Sequence, residues 1–213
     1  MRAAVVGHIE WCEFAEVPHV PQPGEIVHAA ETFEEPAGGG AVAAVQLRKL
    51  AGEATLFTAF GDDETDAVYV TAGDVDAVRQ ARRARTLVAT PRGLDTLAEA
   101  HVQLDALVSS GRDPGERYSP GDLDPAPKLV VRTLGAAGGE WETASGEQGR
   151  WDAAELPGPV RDSYGAGDSF AAGLTYGLGA GWEIAKAVEL AARCGAACLT
   201  GRGPYEVQLV LEG

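Results

Sequence analysis

This chain of 213 residues is poor in several things, and each shortage removes a class of protein. No apolar run approaches the ~20 residues that a membrane-spanning helix needs. Met1-Arg2 leads straight into a strand-like stretch, not a signal peptide, so no membrane partner is expected. Basic residues are few: 17 Lys and Arg stand against 32 Asp and Glu, a formal net charge of −15. Affinity for a nucleic-acid backbone comes largely from Lys and Arg, and no basic run interleaved with aromatics occurs, so no nucleic-acid partner is expected. The three cysteines, Cys12, Cys194 and Cys198, make no disulfide framework, which fits a cytoplasmic setting. Cys194 and Cys198 lie four apart on an expected helix, hence on one face, but zinc wants four ligands and no others sit at suitable spacing. They read as buried small hydrophobes. No G-x-x-x-x-G-K-[ST] occurs, which excludes a P-loop, and no G-x-S-x-G. The histidines His8, His19, His28 and His101 are scattered and support no nucleophile scheme.

What the chain does have is an ordinary globular composition, 45% hydrophobic and 23% charged, at a mass of 22.1 kDa. That is enough for one substantial domain over residues 1–213. Apolar runs predict strands at 2–7, 54–60, 67–71, 86–90, 104–108 and 129–133, and a hairpin at 138–151. Helices are expected at 41–50, 75–84, 94–100, 166–178 and 182–199, the first opened by Gly38-Gly39-Gly40 and stopped by Gly52. Residues 8–35 read as loop plus edge strands, and 111–128, rich in Pro, Gly and charge, as surface loop. Alternating strands and helices predict an α/β fold with a mostly parallel sheet.

The most informative stretch is Asp162-Ser163-Tyr164-Gly165-Ala166-Gly167-Asp168-Ser169-Phe170. Two glycines around an alanine, followed by an apolar small-residue run, describe a loop turning into a helix N-terminus. The free N–H groups of such a terminus attract anions, phosphate above all. Asp168 would repel such a ligand unless it has chemical work there, such as taking a proton from a hydroxyl that attacks a phosphoryl group. The alternative is a tight loop with Asp168 as a capping residue. Thr133-Leu134-Gly135-Ala136-Ala137-Gly138 follows an apolar strand, where α/β folds bind ligands, although a hairpin turn would read the same. Gly38, Gly40 and Ala43 mimic a dinucleotide fingerprint. That fingerprint must directly follow a strand, and Glu34-Glu35-Pro36 is not expected to be one. A polyglycine turn admitting a polyhydroxy substrate fits better.

Together these pieces resemble the ribokinase-like (PfkB) family of carbohydrate and nucleoside kinases. The Asp162 to Phe170 stretch matches its C-terminal signature. Val6-Gly7, Pro23-Gly24-Glu25, Gly38-Gly39-Gly40 and Phe60-Gly61-Asp62-Asp63 match pieces of its N-terminal signature, and Thr133, Gly135 and Gly138 match its nucleotide segment. The resemblance implies a ribokinase-like sheet flanked by helices, with a small β lid whose elements fall within residues 8–36. It implies transfer of the γ-phosphoryl group of ATP, with magnesium, to a sugar or nucleoside hydroxyl, and it admits a homodimer. Asp168 would be the base, and Gly165, Ala166 and Gly167 the anion hole. Thr133, Gly135 and Gly138 would line ATP, while Gly38, Gly39 and Gly40 approach the substrate. Asp162 and the backbone near Gly203 resemble the monovalent-cation (K+) loop of some members.

The departures are specific. The family's asparagine after the glycine run falls at Ala43. Its sugar-binding aspartate falls near Cys12, with Glu10 and Glu13 as the nearby carboxylates. Its N-x-x-E motif aligns with Ser110 to Asp113. Between Asp63 and Ala67 relatives carry a helix, lid strands and a sheet strand, where this chain has three residues. The two flanks look intact, which predicts a lid segment missing between 63 and 67. Ala43, Cys12 and Ser110 favour an alternative of another class, a catalytically silent ligand-binding or regulatory protein on the kinase fold. A dinucleotide-binding oxidoreductase is a distant third.

Overall fold

In the computed structural model of the chain, residues 2–22, 26–57 and 66–211 are described. An eight-stranded sheet runs in the order β10-β9-β8-β7-β6-β5-β1-β4. Its parallel part comprises β4 (Ala54–Phe57), β1 (Ala3–Val6), β5 (Ala67–Val70), β6 (Thr86–Ala89), β7 (Ala106–Ser110) and β8 (Leu129–Thr133). β9 (Gly139–Thr143) and β10 (Gln148–Trp151) continue it as an antiparallel meander. The sheet is mostly parallel, as the alternation of elements predicts. None of the described helices is long and apolar enough to cross a membrane.

The parallel strands are apolar at successive positions because they are covered on both faces. In β1, Ala3 and Val5 enter one core while Ala4 and Val6 enter the other. The first core lies under α1 (Gly39–Ala51), α4 (Ala166–Gly179) and α5 (Ile184–Cys198); the second lies under α2 (Val75–Ala81) and α3 (Leu94–Ala100). Small residues bring α4 and α5 together: a Cβ on Gly173 would sit 2.9 Å from both Ala191 Cα and Cys194 Sγ. Cys194 and Cys198 are fully buried as expected, and burial pushes the Cys194 thiol up to about 12.

β7 begins two residues later than its apolar residues suggest and runs on through Ser109 and Ser110, because pairing with Arg132 and Thr133 carries the ladder past the last apolar side chain. Strand extent here follows backbone pairing, not side-chain hydropathy. Outside the main sheet, β2 (Glu10–Glu16) and β3 (Glu31–Ala37) form a separate antiparallel pair within the segment read as edge strands. A strand therefore does end immediately before Gly38, contrary to expectation. It belongs to an antiparallel ribbon and not to a parallel βαβ unit, so the dinucleotide-fingerprint context is still missing.

Pro23-Gly24-Glu25 and Phe60-Gly61-Asp62-Asp63 lie outside the described residues, as does most of the short join to Ala67. β4 and β5 lie on opposite sides of β1 and parallel to it, with residues 58–66 between them. A crossover between parallel strands ordinarily takes a dozen or more residues. Intact-mass spectrometry tests the connection: a missing crossover segment gives a mass above 22.1 kDa, whereas 22.1 kDa shows the short join to be complete.

Candidate active site

The site starts from how α4 begins. Its N-cap, Gly165, takes φ 77°, a left-handed conformation that glycine adopts without strain, and no side chain caps the helix. The close approach is equally restrictive, since a Cβ on Gly165 would lie 2.8 Å from Pro204 and 2.9 Å from Val42 of α1. The start of α4 thus borders a cleft without a side-chain cap, with the positive end of the helix dipole behind it, and Ala166 N–H turns back only to Ser163 O at 3.4 Å. Asp168 is the third residue of the helix, where that dipole favours a carboxylate.

Asp168 sits where α4 meets the start of α1. A Cβ on Gly39 would stand 2.6 Å from Asp168 Oδ1, so the glycine turn and the carboxylate face each other with no room for a side chain. The Tyr69 hydroxyl, at the end of β5, donates to Asp168 Oδ1 at 3.4 Å. Burial pushes the Asp168 carboxyl above its ordinary pKa, while the Tyr69 hydrogen bond, Arg92 and His8 pull it back. Burial, with the charge of Asp168, also holds Tyr69 well above the usual phenol range. These surfaces enclose a cleft of about 770 Å³ at the carboxyl ends of the parallel strands, where α/β sheets place ligands.

The cleft collects most of the residues that the sequence singles out: Glu10, Gly39, Ser110, Asp113, Thr133, Gly135 and Gly165 to Asp168 all line it. Gly38 and Gly40 flank it at the start of α1, and Gly138 closes the Thr133 turn by donating to Gly135 O at 3.0 Å. Asp113 is held in place by Gly115 N–H (2.8 Å) and Arg92 Nη2 (2.7 Å), one to each carboxylate oxygen. Ser110 Oγ accepts from the N–H groups of Arg112 and Asp113. Away from the cleft floor, Asp162 accepts from Tyr164 N–H through Oδ1 (2.9 Å) and Gly203 N–H through Oδ2 (3.2 Å). Asp162 thus bonds the Gly203 backbone directly, and beside Gly203 lies Glu35 Oε1, which among the described residues is buried without a hydrogen-bond partner.

Sequence reasoning misses Tyr69, Thr71, Thr90, Arg92, Arg112 and Glu116, all of which line the same cleft. Arg92 Nε also holds Glu116 Oε1 at 2.8 Å, and burial raises the Glu116 carboxyl. A signal was available: Thr71 and Thr90 each stand directly after a buried apolar strand, at the end where ligands bind. Tyr164 is a further connection. Its hydroxyl accepts from Gly38 N–H (3.1 Å) and donates to Glu10 Oε1 (3.1 Å), with Cys12 Sγ 3.6 Å away. Phe14 of β2 stacks on Phe33 and meets Tyr164 edge-on. The two-stranded ribbon is thereby fastened to the turn that precedes α4.

The sheet order, the helices on both faces and the cleft at the α4 N-terminus define a ribokinase-like fold. A ribokinase from Cryptococcus neoformans var. grubii serotype A, solved with ADP, superposes with a TM-score of 0.76 at 20% identity, over 98% of this chain and 97% of that one. A nucleoside kinase from Burkholderia thailandensis, solved with inosine, gives 0.76 at 16% identity, over 98% and 94%. Arabidopsis thaliana ribokinase, solved with ribose and ATP, gives 0.69 at 14% identity, over 97% and 95%. The model of the pfkB family carbohydrate kinases matches residues 123–209, a span that includes the Thr133 to Gly138 turn and the Asp162 to Phe170 stretch. Motifs, family model and fold therefore agree on a resemblance to the ribokinase-like (PfkB) family. A search of curated protein sequences finds no significant match.

The raised Asp168 pKa carries a stability cost. A carboxyl whose folded pKa exceeds its unfolded one destabilises the fold when ionised. That cost is full above the folded pKa and vanishes as the pH falls below the unfolded one. Asp168→Asn is expected to raise Tm near neutral pH, by an amount that shrinks on acidification through the carboxylate range. A lowered Tm at neutral pH would contradict the burial account.

Proposed function

We propose that the chain is an ATP-dependent phosphotransferase that moves the γ-phosphoryl group to a hydroxyl of a sugar or nucleoside. The observation that carries this reading is Asp168, held between the Gly39 turn and the uncapped start of α4. Asp168 takes the proton of the accepting hydroxyl as the oxygen attacks phosphorus. The N–H groups of Gly165, Ala166 and Gly167 receive the charge that builds on the transferring group, where fixed dipoles need no reorganisation. Thr133, Gly135 and Gly138, with Ser110 and Asp113 opposite, line the nucleotide, while Glu10 and the Gly38 to Gly40 turn face the acceptor. Support for ATP and for this acceptor class comes from the solved kinases that share the fold, which carry ADP, ATP, ribose or inosine.

Magnesium carried by the nucleotide supplies charge neutralisation of the phosphates. Among the cleft carboxylates Glu116 would suit this ion, because Arg92 engages Oε1 alone and Oε2 is left for a ligand. A monovalent cation would fit near Asp162 and the Gly203 backbone, beside Glu35 Oε1, which among the described residues is buried without a hydrogen-bond partner although, against the upward push of burial, Arg202 lies close enough to pull its carboxyl down.

A second reading, a ligand-binding protein without turnover, is favoured by Ala43. It stands where relatives have an asparagine, is fully buried and offers the substrate no polar atom. ADP release across a panel of sugars and nucleosides, with ATP binding measured in parallel, separates the two. Turnover supports the kinase, and binding without turnover supports the silent protein.

If Asp168 acts as base, Asp168→Asn abolishes most turnover and leaves ATP affinity close to wild type, because the group works in the transition state. Near-normal turnover in that variant refutes the assignment. The pH dependence has a definite sign. Activity falls as the pH drops through the raised Asp168 pKa, and Arg92 pulls that pKa down. Arg92→Gln therefore moves the acid limb of kcat to higher pH, and an unmoved or lowered limb excludes Asp168 as the titrating group.

A further inference from the structure

We infer that Arg112 is a nucleotide-phosphate ligand, a positive charge standing inside the Ser110 to Asp113 segment that aligns with the family's N-x-x-E motif. The inference rests on the kinase reading above and adds a residue and a charge to it. Ser110 and Asp113, the ends of that segment, have their polar atoms engaged within the fold. Ser110 Oγ accepts two backbone N–H groups, and both Asp113 oxygens are bonded, one to Gly115 N–H and one to Arg92. The group that this segment leaves exposed in the cleft is the Arg112 side chain.

Three features give that side chain a definite direction. Its backbone is fixed, because Gly111 N–H donates to Thr133 O at 2.9 Å and Arg112 N–H to Ser110 Oγ at 3.2 Å, which fastens the segment to the end of β8. Its guanidinium lies against the turn after β8: a Cβ on Gly135, which has φ 63°, would stand 2.8 Å from Cζ and Nη1. Its charge is uncompensated. Arg92, the other arginine of the cleft, is held by Asp113 and Glu116, whereas no carboxylate pairs with Arg112 among the described residues. In a chain of net charge −15, a guanidinium with no carboxylate partner, lining the same cleft as a glycine turn and an uncapped helix N-terminus, is free to take an anion. A di- or triphosphate lying between the Gly135 turn and the α4 N-terminus supplies it. The planar fork suits phosphate oxygens, with two parallel N–H donors available.

The test is calorimetric titration of the full chain with ADP and ATP, and separately with ribose and inosine as acceptor probes, for wild type, R112Q and R112K. Because the side chain is exposed, the substitutions leave the core untouched. R112Q is expected to weaken ADP and ATP binding by about tenfold to a hundredfold, the range for a charge-assisted hydrogen bond, and to flatten the salt dependence of ADP affinity. R112K recovers part of the loss. Acceptor affinity stays within about twofold of wild type. Binding of ADP and ATP by R112Q within twofold of wild type overturns the inference, as does an equal loss for nucleotide and acceptor. Wild type that binds neither ADP nor ATP overturns the kinase reading itself, an outcome distinct from nucleotide binding that ignores Arg112.

Discussion

A carboxylate held where two helix N-termini converge is the constraint on which the rest of this molecule depends. Two helix starts without side-chain caps bring two positive dipole ends into one small volume. Asp168 occupies that volume, pressed against Gly39 from α1 and donated to by Tyr69 from below. Its neighbours must be small for the helices to approach this closely, which accounts for glycine at 39 and 165. Burial raises the carboxyl while the Tyr69 hydroxyl, Arg92, His8 and a backbone N–H lower it. The balance leaves a group that ionises more reluctantly than a surface aspartate, and such groups are suited to moving protons.

The electrostatics of the cleft are local and opposed to those of the whole chain. Acidic residues outnumber basic ones nearly two to one, yet the rim facing Asp168 carries Arg92 and Arg112. Arg92 is bound into a network with Asp113 and Glu116, so it sets the field around Asp168 more than it attracts a ligand. Arg112, which no carboxylate holds among the described residues, is the cleft arginine free to meet a ligand. Positioning and attraction are thereby divided between two arginines on different elements. The ribbon of β2 and β3 enters the same arrangement through Tyr164, whose hydroxyl joins Glu10 to the first residues before α1. A shift of the ribbon would therefore be felt at the turn before α4.

How much of this the sequence shows depends on distance along the chain. The α4 turn is legible because glycine, alanine, aspartate and the following small residues are adjacent, and their joint meaning is a local backbone shape. The layering is legible for a similar reason, since buried parallel strands announce themselves as short apolar runs. The cleft floor is less so, because Tyr69, the Thr90–Arg92 pair and Glu116 come from three separate segments and meet only through the strand order. Glu116 lies in a stretch whose composition suggests surface loop, and nothing in that composition indicates that it turns inward. The strand ahead of Gly38 is missed because Glu34, Glu35 and Pro36 are poor strand formers; antiparallel pairing with β2 holds them extended.

The most direct test of the central claim is a crystal structure of the chain with ADP, magnesium and a metal-fluoride mimic of the transferring phosphoryl group. The account places the fluoride group within hydrogen-bonding distance of the N–H groups of Gly165, Ala166 and Gly167. The diphosphate then runs toward Gly135, and the space beside Asp168 is left to the acceptor. A nucleotide bound elsewhere, or one whose phosphates avoid the start of α4, would contradict it.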